Sequence, residues 1–136
     1  MANKIVPANV AFYDHFKAFK NNDVIDWTQN THFSIGDIVY IYSSSPYRRI
    51  SFKCEVINID LPSSSLLHND DDCWITNDAK IEHEKKNRFV RLKLILNVDD
   101  KELTYEFLKN NGMKGRPQSQ RNLDDNVAFA IEKVIG

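Results

Sequence analysis

Ser34-Ile35-Gly36-Asp37-Ile38-Val39-Tyr40-Ile41-Tyr42-Ser43 is the stretch on which the reading of this chain turns. Ser34 to Asp37 has turn composition. From Ile38 to Ser43 the apolar residues Ile38, Tyr40 and Tyr42 alternate with Val39 and Ile41, which predicts a strand at least partly covered on both faces. Ser43-Ser44-Ser45-Pro46 follows as a loop. Arg49 to Asp60 then predicts a half-buried strand, with Ile50, Phe52, Cys54 and Val56 facing inward and Ser51, Lys53 and Glu55 outward. Lys53 and Glu55 on one strand face suit an exposed ion pair.

Upstream, Lys4 to Ala8 predicts a short first strand that ends near Pro7, because proline is tolerated only at a strand end or edge. Ala11 to Lys20 predicts a helix with Phe12, Phe16 and Phe19 on one face. Asn21-Asn22-Asp23 stops it, and Val24 to Trp27 forms a short segment whose type the pattern leaves open. Downstream, Leu61 to Lys86 has no sustained period. A structureless loop of that length is unusual in a compact domain, so it holds short elements or belongs to a site. Arg88 to Val98 resumes alternation through Val90, Leu92, Leu94 and Leu96. Two closing helices are expected. Glu102 to Asn111 would be capped by Asp99 or Asp100 and stopped at Gly112, and the last would run from a cap at Asn122 or Asp124 to Ile135 with a stripe of Val127, Ile131 and Val134. Strands with flanking helices predict an α+β fold around a small, strongly curved or closed sheet, in one domain spanning 1–136.

Composition excludes several classes. The 136 residues are 42% hydrophobic and 27% charged with a net charge of −1, a balance that favours a packed core over disorder. No apolar run reaches the roughly 18–20 residues of a membrane span, so no membrane partner is expected. Met-Ala-Asn-Lys-Ile-Val-Pro has no apolar core of a secretory signal, and Cys54 and Cys73 are too few for a disulfide framework. A reduced, cytoplasmic protein is the expectation.

Charge is segregated along the chain. Asp60, Asp70, Asp71, Asp72, Asp78, Glu82 and Glu84 face only Lys80 between residues 60 and 84. Lys109, Lys114, Arg116 and Arg121 occupy 107–121 without an acid. Arg48, Arg49 and Lys53 form a second basic cluster, and Lys85, Lys86, Arg88, Arg91 and Lys93 a third. Such a chain can present a positive face to a phosphate backbone.

For catalysis, the chain has no Gly-rich phosphate loop, no nucleophile elbow and no His-Glu-x-x-His pair. His68, Cys73 and His83 with Asp70 to Asp72 match no structural zinc spacing, so neither a metal nor a cofactor is expected. Cys54 reads as a buried small hydrophobe. More informative are Trp27, Tyr40, Tyr42 and Tyr47 close to Arg48 and Arg49. Aromatic faces stack on nucleobases while Arg and Lys hold phosphates. Tyr40 reads better as core, and for Trp27 both readings stay open.

Pro7-Ala8-Asn9, Phe12-Tyr13-Asp14, Ile25-Asp26-Trp27, Gly36 to Tyr42 with Pro46, and Gly112-Met113-Lys114-Gly115-Arg116-Pro117-Gln118-Ser119-Gln120-Arg121-Asn122-Leu123 together resemble the EVE domain. That family belongs to the PUA-like superfamily, with YTH and ASCH domains as relatives. The resemblance runs from Ile5 to Ile135 but not through Leu61 to Asn87. It implies a small barrel-like sheet wrapped by helices, and a pocket for a modified base flipped out of a duplex or already unpaired. It assigns the pocket's tryptophan wall to Trp27 and another wall to Tyr42, Ser43, Ser44 and Tyr47. Polar groups for the base edge would come from the Asn9, Tyr13 and Asp14 region. Phosphate contacts would come from Arg48, Arg49, Lys114, Arg116, Gln118 and Arg121. The implied partner is nucleic acid, DNA rather than RNA, carrying 5-methylcytosine, a hydroxymethylated form or N6-methyladenine. A separately encoded nuclease would be a further partner, since this chain carries no nuclease domain.

The lead expectation is therefore a non-catalytic reader of a modified base. One alternative is an ASCH-like hydrolase of a modified nucleoside. It needs a convergent Lys, Thr or Ser, and Glu, for which Lys53 and Glu55 are the only neighbouring pair. The other alternative is a protein-interaction or antitoxin-like module docking through the acidic 60–84 segment.

Overall fold

The computed structural model describes residues 2–136. In chain order the elements are β1 (Asn3–Ala8), α1 (His15–Asn21), β2 (Val24–Thr28), β3 (Ile38–Ser43), β4 (Arg49–Leu61), α2 (Asn77–Glu84), β5 (Phe89–Asn97), α3 (Tyr105–Asn110), β6 (Arg121–Asn122) and α4 (Asp125–Ile135). The six strands form one mixed sheet in the order β2-β5-β4-β3-β1-β6. β1 runs parallel to β3, and the other pairings are antiparallel.

Alternation in β3 feeds two cores. Val39 and Ile41 join Phe19, Phe52, Cys54, Val56 and Leu92 on one face. Tyr40 joins Ile5, Ile50, Leu103, Leu108, Val127 and Ile131 on the other. Ile50 thus parts from Phe52, contrary to the single inward face expected for β4, because the β3–β4 register shifts between Ile41 and Tyr42. A bulge moves every later side chain to the opposite face. Pro7 is accommodated because β6 pairs only with Lys4 and Ile5, leaving β1 a partner on one side at the proline.

Of the two expectations, a strongly curved or a closed sheet, closure does not occur. β2 and β6 remain separate edges, and the gap is spanned by one side chain: Gln120 Nε2 donates to the Thr28 carbonyl at 2.6 Å, and its Oε1 accepts from Asn30 N at 2.8 Å.

Helix bounds also differ from the pattern. α1 starts at His15 rather than Ala11, since Phe12 N and Tyr13 N both bond Asn9 O and make a turn there. Asp14 then caps the helix through Lys17 N. α3 is capped by Thr104, not by Asp99 or Asp100. Lys53 pairs not with Glu55 but with Glu132 of α4 at 2.7 Å, and Tyr40 OH donates to the other oxygen of that carboxylate. No helix among the described residues is long and apolar enough to cross a membrane.

Candidate functional site

Where β1 ends, the chain turns over the sheet and opens a pocket of about 170 Å³. β1 supplies Pro7 and Ala8, the following turn Asn9, Phe12 and Tyr13, and β2 Asp26, Trp27 and Thr28. The acidic excursion supplies the remaining wall, Trp74 and His83. Tyr13 meets Trp27 edge-on at 5.8 Å between ring centroids and Trp74 at 4.5 Å. These rings lie within the range over which aromatic pairs attract.

The excursion is fastened to this wall residue by residue. Tyr13 and Trp74 form an isolated antiparallel bridge, with Asp14 N donating to Cys73 O and Ile75 N to Phe12 O. Tyr13 OH donates to Asp70. Burial pushes the Tyr13 phenol up, and burial raises the Asp70 carboxyl despite that bond. Asp26 holds Arg91 at 2.7 Å and also accepts from Leu67 N. His83 stacks on Trp74 and Phe89, its Nδ1 lying 3.1 Å from Thr28 Oγ1. Burial lowers the His83 pKa to about 4, so the ring is neutral at pH 7.

Of the residues expected at a base pocket, Asn9, Tyr13 and Trp27 line this one. Asp14 serves as the α1 cap. Ser43 is buried, donating to Ser51 Oγ at 2.8 Å and lying 2.7 Å from His15 Nε2. Ser44 Oγ accepts from Val10 N, which ties the β3–β4 turn to the pocket rim. Tyr47 stacks on Phe16 at 4.3 Å, and Tyr42 packs against the second core. Trp74, His83 and Thr28 escaped the sequence reading as pocket residues, and Phe12 and Asp26 stood in the motifs of the resemblance without a pocket role. For Trp74 and His83 the one signal was the length of the excursion, too great for an idle loop.

The basic residues divide. Arg48 and Arg116 are exposed and both lie close enough to Tyr42 to act on its phenol; burial nevertheless leaves that pKa raised. Arg116 stacks over Tyr105 at 4.8 Å. Lys114 and Gln118 are exposed, on the segment that Gln120 fastens to Thr28 at the pocket wall. Arg121 is spent internally on the Lys114 and Gly115 carbonyls. Arg49 lies half-buried beside Tyr47.

Lys53, required by the hydrolase alternative, sits with Tyr40 and Glu132 and does not line the pocket. Among the described residues the one group with metal-like clustering is His68, Asp71 and Glu84, and Lys80 reaches both of its carboxylates. Cys73 and His83 stand apart from it.

No protein-family description matches the chain, and no curated protein matches it. Solved structures do. An ASCH protein variant from Zymomonas mobilis superposes with a TM-score of 0.71 at 9% identity, covering 98% of this chain and 96% of that one. The fold is that of the ASCH protein. A protein from Agrobacterium tumefaciens gives 0.64 at 13% identity, with 100% and 94% covered. A hypothetical protein from Leishmania major gives 0.63 at 17% identity, with 98% and 94% covered. At such identities the likeness shows the fold alone. It places the chain's architecture beside ASCH proteins rather than singling out the EVE branch.

Proposed function

We propose that this PUA-like chain is a nucleic-acid-binding module that holds one unpaired or flipped-out base in the pocket between Trp27 and Trp74. The observation that carries this reading is an aromatic-walled cavity at the end of β1, lined by Phe12, Tyr13, Trp27 and Trp74. Arg48 lies on the turn that Ser44 ties to Val10, and Lys114 and Arg116 on the segment that Gln120 ties to Thr28. The volume fits. An apolar cavity of about 150 Å³ accepts a benzene ring, so this one has room for a six-membered ring. Extruding a base costs a few kcal/mol, and stacking on an aromatic side chain returns roughly 1–3 kcal/mol per base. A methyl group on the base adds only about 0.8 kcal/mol by burial, so a reader of methylation needs close shape around it. Within this reading the base is a modified one, the polymer is DNA before RNA, and chemistry on the bound nucleic acid falls to a separate nuclease.

Fluorescence polarisation with matched deoxy- and ribo-oligonucleotides, modified and unmodified, at two salt concentrations tests the proposal. Wild-type protein is expected to bind salt-dependently with preference for one modified base, and Trp27→Ala to lose that preference. Absence of binding at low salt overturns it.

A further inference from the structure

The residues around the pocket carry information about the electrical character of the ring it accepts. Its walls are the faces and edges of Trp27, Trp74, Tyr13 and Phe12, and no Lys or Arg lines it. Asp26 is the one acidic residue in the lining, its carboxylate held by Arg91 and Leu67 N. Asp26, Trp74 and His83 are also the partition to a second, small cavity whose far side holds Asp70, Asp71 and Glu84. Facing these four carboxylates are Arg91 on Asp26, Lys80 on Asp71 and Glu84, and the His68 imidazole, also beside Asp71 and Glu84. Carboxylates thus outnumber lysines and arginines behind the wall, and the His83 ring in it is uncharged at pH 7. Aromatic faces attract cations through their quadrupole, best from tryptophan and most strongly in a desolvated site.

We propose that the pocket selects a positively charged nucleobase, one methylated on a ring nitrogen, over neutral methylated bases. The inference rests on the base-pocket reading above and sharpens its ligand class. Such bases carry the methyl group on the hydrogen-bonding edge when cytosine is methylated at N3 or adenine at N1. They cannot pair normally, so they leave a duplex at lower cost than an intact base. The exposed cations lie outside the cavity, where they meet phosphates without opposing the charged ring.

Isomers separate charge from size. 3-Methylcytosine and 5-methylcytosine contain the same heavy atoms, as do 1-methyladenine and N6-methyladenine, the charged member of each pair holding one more proton, so methyl burial nearly cancels within each pair. The experiment titrates the full chain with short single-stranded oligonucleotides carrying one of these four bases or none, and with a trimethyl-lysine peptide. The cationic member of at least one pair is expected to bind about tenfold tighter than its isomer, and Trp74→Leu to erase that ratio. Equal or weaker binding of both cationic isomers, with strand binding intact, overturns charge selection and leaves the base pocket standing. Failure of every oligonucleotide at low salt overturns the base pocket itself. Tightest binding of the peptide shows the cage to serve a methylated ammonium on protein, and overturns the nucleobase assignment.

Discussion

Removing the Asp26 carboxylate should destabilise the whole chain, not the pocket alone. Asp26 has 5% of its side chain exposed and Arg91 19%, and they meet through two contacts, Nε to Oδ1 at 2.7 Å and Nη2 to Oδ2 at 3.2 Å. The same carboxylate receives Leu67 N at 2.9 Å, an anchor of the excursion. Asp26→Ala leaves a mostly buried guanidinium and a backbone N–H without their acceptor. Breaking a buried pair from one side costs about 3–5 kcal/mol. Arg91 keeps its bond to Ser65 O and some access to water, so the lower end, about 3 kcal/mol, applies here. At roughly 3–5 °C per kcal/mol for a domain of this size, the midpoint should fall by around 10–15 °C. Urea unfolding followed by tryptophan fluorescence gives the free energy directly. Asp26→Ala with Arg91→Ala should cost less than the two single changes added together, because the double variant leaves no orphaned charge. A single-variant loss below about 1 kcal/mol, or strict additivity in the double variant, refutes the argument that the pair holds β2 to β5 and to the excursion.

Two further outcomes follow from particular residues. His15 is fully buried, and burial lowers its pKa to about 4 from an ordinary value near 6.5; in the window between those values the unfolded chain binds a proton that the folded chain refuses, so stability falls as pH drops, by about 3 kcal/mol at most from this group. His15→Gln should flatten urea-midpoint curves between pH 7 and 4 relative to wild type, and parallel curves would refute the assignment. Gly112 ends α3 at φ +108°, where an added Cβ would stand 2.5 Å from Asn126 Nδ2, the donor to Asn111 O. Gly112→Ala should cost about 1–3 kcal/mol in equilibrium unfolding, and an unchanged midpoint would show that the turn relaxes freely.

β3 was legible because alternation survives wherever both faces of a strand are buried, and Ile38 to Ser43 is the strand found. β5 and α4 were legible for the same kind of reason, a period matched to a buried face. β4's split allegiance was not, because a bulge adds a residue without leaving a mark in the hydrophobic pattern. Phe12 reads as helical by spacing, yet the Asn9 carbonyl and the Asp14 cap compete for that stretch and win. At the site, Trp27 was assigned to a pocket wall by the resemblance that Ile25-Asp26-Trp27 helps carry, and it lines the cavity. Trp74 and His83 were missed because each reaches the pocket from a segment with no period, through long-range contacts to Tyr13 and Thr28. Tyr42 and Tyr47 drew attention as rings near arginines, a one-dimensional proximity that the turn at Ser44 directs away from the cavity.

The excursion between β4 and β5 gives the pocket Trp74 and His83 while contributing no strand to the sheet, and α2 within it buries no side chain completely. Its sequence is consequently freer to drift than that of β3 or β5, where each inward residue has a neighbour to fit. Substitution there can retune which ring the cavity accepts while the scaffold stays intact. Descendants of one ancestral fold could in this way diverge in taste long before they diverge in shape.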